Sequence, residues 1–281
     1  MTTFTSSITN FIRDLLAPPG DICLTCGGKS RLTKEWPGIC QRCADSIPWI
    51  VKPRCVCCGR AFGCPDCLRQ EARQRSFIWN RSAVQYNEAM REWLAQYKYR
   101  GNERYAQLLI RMLSQALIRL IQEVSITYFK AEMTESKMLW KPDMITYVPV
   151  SGSRLSERGF NQAQVLAEGL GAIHRLPVTP LLMRSLHTEK QSFKTRQERI
   201  DSMKHAFAWN PGEGLFSMNA DHSSKLVLSD HRMPGGLRIL LVDDIYTTGS
   251  TINACAEVLL HSFQQRLGKR AEVYSLTWAR S

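Results

Sequence analysis

The stretch from Gly235 to Thr251, GGLRILLVDDIYTTGST, constrains the fold more than any other in the chain. A glycine pair interrupts what precedes it, and Ile239 to Val242 then form a short continuous apolar run. A strand buried on both faces of a parallel sheet presents such a run. Asp243 and Asp244 follow at once, then Thr247, Thr248, Gly249, Ser250 and Thr251. Beyond them Ile252, Cys255, Ala256, Leu259, Leu260 and Phe263 recur at helical spacing. The order strand, acidic pair, hydroxyl-rich loop, helix predicts an α/β fold with a parallel sheet flanked by helices.

That order also carries chemistry. A loop opening a helix offers unpaired backbone N–H groups and the positive end of the helix dipole, which suits a phosphate. Thr247, Thr248, Ser250 and Thr251 add hydroxyl donors, and Gly249 lets the backbone approach closely. Adjacent carboxylates at the strand end can accept from two sugar hydroxyls, with or without Mg²⁺ nearby. Read as bare structure, the acidic pair would only cap the helix; two carboxylates and four hydroxyls around one glycine exceed what a cap requires.

The 281 residues leave room for one α/β domain and a smaller module. No apolar run reaches the length of a membrane span, and residues 1–20 lack a secretory pattern, so a cytoplasmic location is expected. Phe4, Ile8, Phe11, Ile12, Leu15 and Leu16 instead suggest a short amphipathic helix stopped by Pro18 and Pro19. The formal charge is +12, and residues 1–82 hold 12 Lys and Arg against 6 Asp and Glu. This bias fits a polyanionic partner or solubility together with phosphate binding.

Nine of the ten cysteines lie between Cys23 and Cys67 as four C-x2-C knuckles, with Cys57 between Cys55 and Cys58. The knuckle spacing lets two thiolates take adjacent corners of a tetrahedron around zinc. Sequential pairing gives two structural sites: Cys23, Cys26, Cys40 and Cys43, then Cys55, Cys58, Cys64 and Cys67. Cross-braced pairing, and Cys57 in place of Cys58, stay open at this point. GGKS at 27–30 is not the end of a Walker A loop, because Cys23 stands where its first glycine belongs.

Residues 68–81 read as a bridge. Ala89, Met90, Trp93, Leu94 and Tyr97 then fall on one helical face that ends in Lys98-Tyr99-Arg100-Gly101. Lys98 at the helix exit can meet a phosphate or stand as a charge on the dipole. Tyr105, Leu108, Leu109, Met112, Leu113, Leu117, Leu120 and Val124 mark a long helix, after which 125–142 reads as a surface insertion. Ile145 to Val150 is a second buried strand, running into Ser151, Ser153, Arg154 and Arg158. Ligands collect at the carboxyl ends of such strands, so this loop and the Asp243 loop can face one site, and an arginine fork suits a pyrophosphate. A strand is expected over 178–183, a polar segment rich in Lys and Arg after it, an irregular excursion at 210–236, and a last strand over 271–280.

RILLVDDIYTTGS resembles the signature of type I phosphoribosyltransferases, which bind phosphoribosyl pyrophosphate (PRPP). The order of the cysteine module, KYRG, VPVSGSRLSERGFNQA, R-x6-Q-x7-R with AF after it, LLVDDIYTTGST and LTWAR is similar to the ComF/GntX family over most of residues 20–281. The resemblance implies a type I phosphoribosyltransferase fold over 82–281 and a double zinc ribbon over 21–70. It implies Asp243 and Asp244 as the catalytic pair on the ribose, and Thr247 to Thr251 on the 5-phosphate. Val150, Ser151, Arg154, Arg158, Lys98, Gln191 and Arg199 would reach the pyrophosphate, with Lys190, Lys194 and Arg196 in the closing loop. Two structural Zn²⁺, Mg²⁺ with PRPP, and a role in natural competence with single-stranded DNA or competence proteins as partners complete the expectation. The alternative is a non-catalytic ribbon protein whose pocket holds a nucleotide or single-stranded DNA, with Trp36, Trp49 or Trp79 for stacking.

Overall fold

The computed structural model describes residues 21–68, 75–99, 103–132, 139–185, 206–210 and 236–281. The expected helix over 1–20, Gln191, Arg199 and the other cations of the closing loop lie outside the described residues, as does most of 210–236.

The cysteine-rich part contains a small antiparallel pair, β1 (Asp21–Ile22) with β2 (Lys29–Ser30), and two short helices, α1 (Gln41–Asp45) and α2 (Pro65–Leu68). Then come β3 (Asn80–Gln85), α3 (Glu88–Tyr99), α4 (Glu103–Glu132), β4 (Met144–Tyr147), α5 (Gly152–Arg158) and α6 (Gln162–His174). A two-stranded antiparallel unit, β5 (Leu182–Arg184) and β6 (Phe207–Trp209), precedes β7 (Leu237–Tyr246), α7 (Ser250–Leu267) and β8 (Ala271–Arg280). The main sheet has the order β3-β8-β7-β4 and is parallel throughout.

Alternation along the central strands divides the core. Leu240, Val242, Tyr274, Leu276 and Trp278 face α3, α4 and α6, whereas Ile239, Leu241 and Val273 face α7 and the β5–β6 unit. The stripe from Tyr105 to Val124 on α4 is buried as its spacing predicts, and so are Ile252, Cys255, Ala256, Leu259 and Phe263 on α7. Each cysteine module feeds one core: Cys23, Ile39 and Cys40 join the first, Cys58, Cys64 and Phe77 the second.

Several sequence expectations shift. β3 starts inside the segment read as a bridge, because its polar residues are satisfied across the sheet: Ser82 Oγ meets Thr277 Oγ1 at 2.6 Å, and Ser275 Oγ donates to Asn80 Oδ1 at 2.8 Å. The expected insertion at 125–142 begins as helix, since α4 runs to Glu132 with Ser125 donating back to Ile121 O. Trp140 packs on Tyr274 with ring centroids 4.5 Å apart. Around 178, Val178 only bridges to Ile145, and the strand proper is β5. No helix among the described residues is long and apolar enough to cross a membrane.

Candidate ribose-phosphate site and cysteine clusters

β7 is longer than its apolar run. It stays in register with β8 through Tyr246, but its pairing with β4 ends at Val242. Past Val242 one edge of β7 opens into the crevice where β4 turns away, and Asp243 and Asp244 stand there at the carboxyl end of the sheet. This is the position at which parallel α/β sheets bind ligands.

Adjacent strand residues point to opposite faces, and the two carboxylates meet different partners. Asp244 Oδ2 lies 2.5 Å from Lys98 Nζ. Asp243 Oδ1 accepts from Asp244 N at 2.8 Å. Burial, and then the neighbouring charge of Asp244, pushes Asp243 up to about 8 against the pull of that N–H, Lys98 and Arg154.

The RGFNQ segment brings Lys98 there. Gly159 ends α5 with φ +77°, which only glycine adopts without strain. Phe160 then packs edge-on against Tyr97 at 5.5 Å. Asn161 caps α6, accepting from Ala163 N and Gln164 N, and donates to Val148 O at 3.1 Å. Tyr97 OH donates to Gln162 O at 2.8 Å. These contacts tie the end of α3 to the strand end that begins the Val150–Ser151 loop. Arg158 serves the same joint: Nη1 donates to Gln162 Oε1 at 2.9 Å, Nη2 to Tyr99 OH at 3.2 Å, and the guanidinium lies over the Tyr99 ring. Ser151 caps α5 and lies 3.1 Å from Ser153 Oγ. Arg154 is exposed, and its charge reaches Asp243.

The loop Thr247–Gly249 opens α7, with Gly249 at the cap position and φ +85°. Thr248 Oγ1 lies 3.0 Å from Ser250 Oγ, and both are accessible. Beneath the loop sits the buried Tyr246 hydroxyl, against which a Cβ on Gly249 would collide. Gly249→Ala is therefore expected to weaken binding of a sugar phosphate by about tenfold or more and to cost about 1–3 kcal/mol of stability. Calorimetry and thermal melts measure the two effects. Wild-type affinity would mean that the loop does not form the phosphate cradle.

The cysteines gather into two groups, Cys23, Cys26, Cys40 and Cys43, and Cys55, Cys58, Cys64 and Cys67, each with its sulfurs within 4.8 Å of one another. Sequential pairing is thus what the fold produces. Cys23–Cys43 and Cys26–Cys40 are 3.8 and 3.9 Å apart, and Cys58–Cys64 3.3 Å. A thiolate tetrahedron around zinc, with Zn–S near 2.3 Å, has edges of about 3.8 Å, so the donor sets fit that ion. Burial works against ionisation of Cys23, but hydrogen bonds from Thr25 and from backbone N–H groups bring it down to about 5, whereas burial carries Cys43 up to about 12. Cys57 stands outside its cluster, where its Sγ accepts from Arg75 Nη1 at 2.9 Å. At Gly59, φ +72°, a Cβ would lie 2.6 Å from Asn80 O, so this knuckle packs hard against β3.

Sequence reasoning missed the roles of Tyr99, Tyr246, Arg75 and Arg280, which depend on partners far away in the chain. Only the adjacency of Tyr246 to the Thr-Thr-Gly triplet offered a local signal.

The fold and site define an α/β protein that fits the type I phosphoribosyltransferase fold, carrying two four-cysteine clusters on its N-terminal side. No family model matches the chain. It is 29% identical over 279 residues to competence protein ComFC of Bacillus subtilis, covering 92% of this chain and 95% of that one. It is 26% identical to competence protein F of Haemophilus influenzae, covering 84% and 90%. Among solved structures, an adenine phosphoribosyltransferase aligns with 59% of this chain and 70% of its own at 17% identity, with a TM-score of 0.25. The sequence relatives and the motifs together support membership of the ComF family.

Proposed function

We propose that the chain binds PRPP at the Asp243–Thr251 crevice and transfers its phosphoribosyl group with release of pyrophosphate, in a role connected with competence. The observation that supports this best is the acidic pair standing on the unpaired edge of β7, with Lys98 brought to Asp244 and an open helix N-terminus directly beyond.

In this reading the ribose hydroxyls meet the two aspartates. Asp243, which keeps its proton near neutral pH in the free protein, donates to one oxygen, while Asp244 accepts from the other. Thr247, Thr248, Ser250, Thr251 and the backbone N–H groups around Gly249 take the 5-phosphate. Arg154 and the Val150–Ser151 loop approach the leaving pyrophosphate, with Gln191 and Arg199 of the polar loop as its further ligands. Mg²⁺ accompanies PRPP and screens its charge. As pyrophosphate leaves C1 an acceptor nucleophile bonds there in its place through an oxocarbenium-like transition state, so the chain's own work is positioning and charge stabilisation. Zn²⁺ in the two clusters is structural, since four thiolates leave no open coordination position.

The test is calorimetric titration of the zinc-loaded protein with Mg²⁺ and PRPP. Saturable binding that disappears with free pyrophosphate as competitor is expected, and an acceptor screen by pyrophosphate release then follows. No binding would overturn the reading.

A second reading, a non-catalytic protein that engages single-stranded DNA, draws on a different place. Trp36 and Trp49 stand 4.9 Å apart at 39° beside a cavity of about 550 Å³ lined also by Thr33, Lys34, Glu35, Gln41 and Asp45. Stacking on aromatic faces is how such strands are held. A parallel titration with single-stranded DNA separates the two readings: DNA binding without any PRPP signal favours the second.

A further inference from the structure

The phosphate loop is held at both ends by side chains anchored on the second cysteine cluster. At its entry, Arg280 is buried at the end of β8, with Nη2 3.5 Å from Cys58 Sγ and Nη1 3.3 Å from Tyr246 O. Its guanidinium also lies 4.6 Å from the Tyr246 ring centroid. At its exit, Arg75 Nη1 lies 2.9 Å from both Cys57 Sγ and Cys67 Sγ. The next residue, Ser76, donates its backbone N–H to Asn253 Oδ1, in the first turn of α7, at 2.8 Å. Phe77 completes the bracket, with its ring edge-on to Tyr246 at 6.2 Å. Tyr246 in turn carries Gly249, whose α carbon has no room for a side chain above the phenol.

We infer that a metal ion on Cys55, Cys58, Cys64 and Cys67 and a sugar phosphate on the Thr247–Thr251 loop strengthen each other's binding, through Arg280 on one side and Arg75, Ser76 and Asn253 on the other. The inference rests on the sugar-phosphate reading of that loop. Its physical basis is charge and constraint. Four thiolates on one divalent ion carry a net charge of about −2, and a guanidinium bonded to such an anion makes a strong charge-assisted contact. Without the ion the four side chains are not fixed relative to one another, and both arginines lose their common anchor. The loop, whose N–H groups must converge on a phosphate, then loses the two points that set its span. Arg280 and Asn253 are thus positioning residues that touch no ligand themselves. Coupling of this kind is reciprocal: whatever the metal adds to ligand affinity, the ligand adds to metal affinity.

Reciprocity supplies a readout that a merely structural role would not move. The equilibrium partition of zinc between the full, zinc-loaded chain and a chromogenic chelator is measured with and without ribose 5-phosphate, and calorimetry gives the affinity for the same probe. Wild type, Asn253→Ala and Arg280→Lys are compared, with thermal melts to confirm folding. Saturating ribose 5-phosphate is expected to protect one of the two zinc ions by raising its affinity about fivefold or more. Asn253→Ala is expected to weaken ribose 5-phosphate binding by about five- to tenfold and to reduce the protection in the same proportion. Arg280→Lys, which keeps the charge but not the fork, retains part of both effects; should it fail to fold, Asn253→Ala carries the test alone. If wild type binds ribose 5-phosphate and neither zinc ion is protected, the coupling is overturned and the ligand reading stands. Protection that persists unchanged in the folded variants overturns the route through these residues. If zinc-loaded wild type binds neither ribose 5-phosphate nor PRPP, the ligand reading falls and the coupling falls with it.

Discussion

Replacing Asp243 and Asp244 together by asparagine is expected to weaken PRPP binding by about 30- to 2,000-fold and to leave the protein folded. The hydrogen bond to the charged Asp244 is worth about 1.5–3 kcal/mol and that of the protonated Asp243 about 0.5–1.5 kcal/mol, and the two losses together reach that range. Stability should respond differently at the two positions. Asp244 is paired with Lys98, with both side chains less than a fifth exposed, so Asp244→Asn leaves a cation without its partner and is destabilising. Asp243 is the opposite case. Its carboxyl titrates at about 8 in the folded protein against an ordinary value of 3.8. The native state therefore binds more protons than the unfolded chain between those values. Stability falls as pH rises across that window, because ionising Asp243, desolvated and beside the charge of Asp244, is costly. Asp243→Asn removes the penalty. The single variant should melt above wild type at about pH 9, with the gap closing as pH falls toward about 4. Binding lost while stability is gained is what a group held at cost for a ligand produces. Unchanged PRPP affinity in the double variant would sink the site assignment; a gap that widens toward acid would show that the folded protein does not hold Asp243 protonated.

How much of this was legible in the sequence depends on the range of the interaction. β7, the loop and α7 were readable because their signal is local: an apolar run, then hydroxyls around one glycine, then a 3.6-residue stripe. The long stripe on α4 and the C-x2-C knuckles were readable for the same reason. The strand β3 was not. Asn80, Arg81 and Ser82 look like a polar linker until Ser275 and Thr277 are placed beside them, almost two hundred residues away. Nor does periodicity reveal that β8, the last strand, lies inside the sheet between β3 and β7. Within the site, Lys98 taken alone read better as a helix-end charge; the contacts of Phe160 with Tyr97 and of Tyr97 with Gln162 turn it toward Asp244. Arg158 shows the converse. Its spacing from Arg154 suggests a pyrophosphate fork, yet its guanidinium is engaged by Gln162 and Tyr99 in the ligand-free chain. The arginine of the motif builds the joint that aims the lysine.

Stripping the metal is expected to lower the melting temperature by about 10 °C or more, because the clusters are built into the cores of the domain. Cys23 and Cys40 are 1% and 4% exposed and pack with α4 residues, while Cys58, at 0%, packs in the core around α7. The first module is also bonded to α4, with Tyr105 OH donating to Leu24 O at 3.0 Å and Arg111 to Glu35 O at 3.0 Å. The second is bonded to β3, where Asn80 Nδ2 donates to Cys58 O at 3.1 Å and Arg81 to Val56 O at 2.8 Å. Structural zinc is worth about 10–16 kcal/mol to an isolated finger. Even a third of that per site, in a chain whose melting point moves roughly 2–4 °C per kcal/mol, gives the stated shift. Metal analysis should find two zinc ions per chain. Cys58→Ser should reduce that to one, whereas Cys57→Ser should keep both, since its sulfur bonds Arg75 outside the four-sulfur group. One ion in the wild type would break the two-cluster assignment. Loss of an ion in Cys57→Ser with retention in Cys58→Ser would exchange the two residues and move the anchor of Arg280 away from the metal.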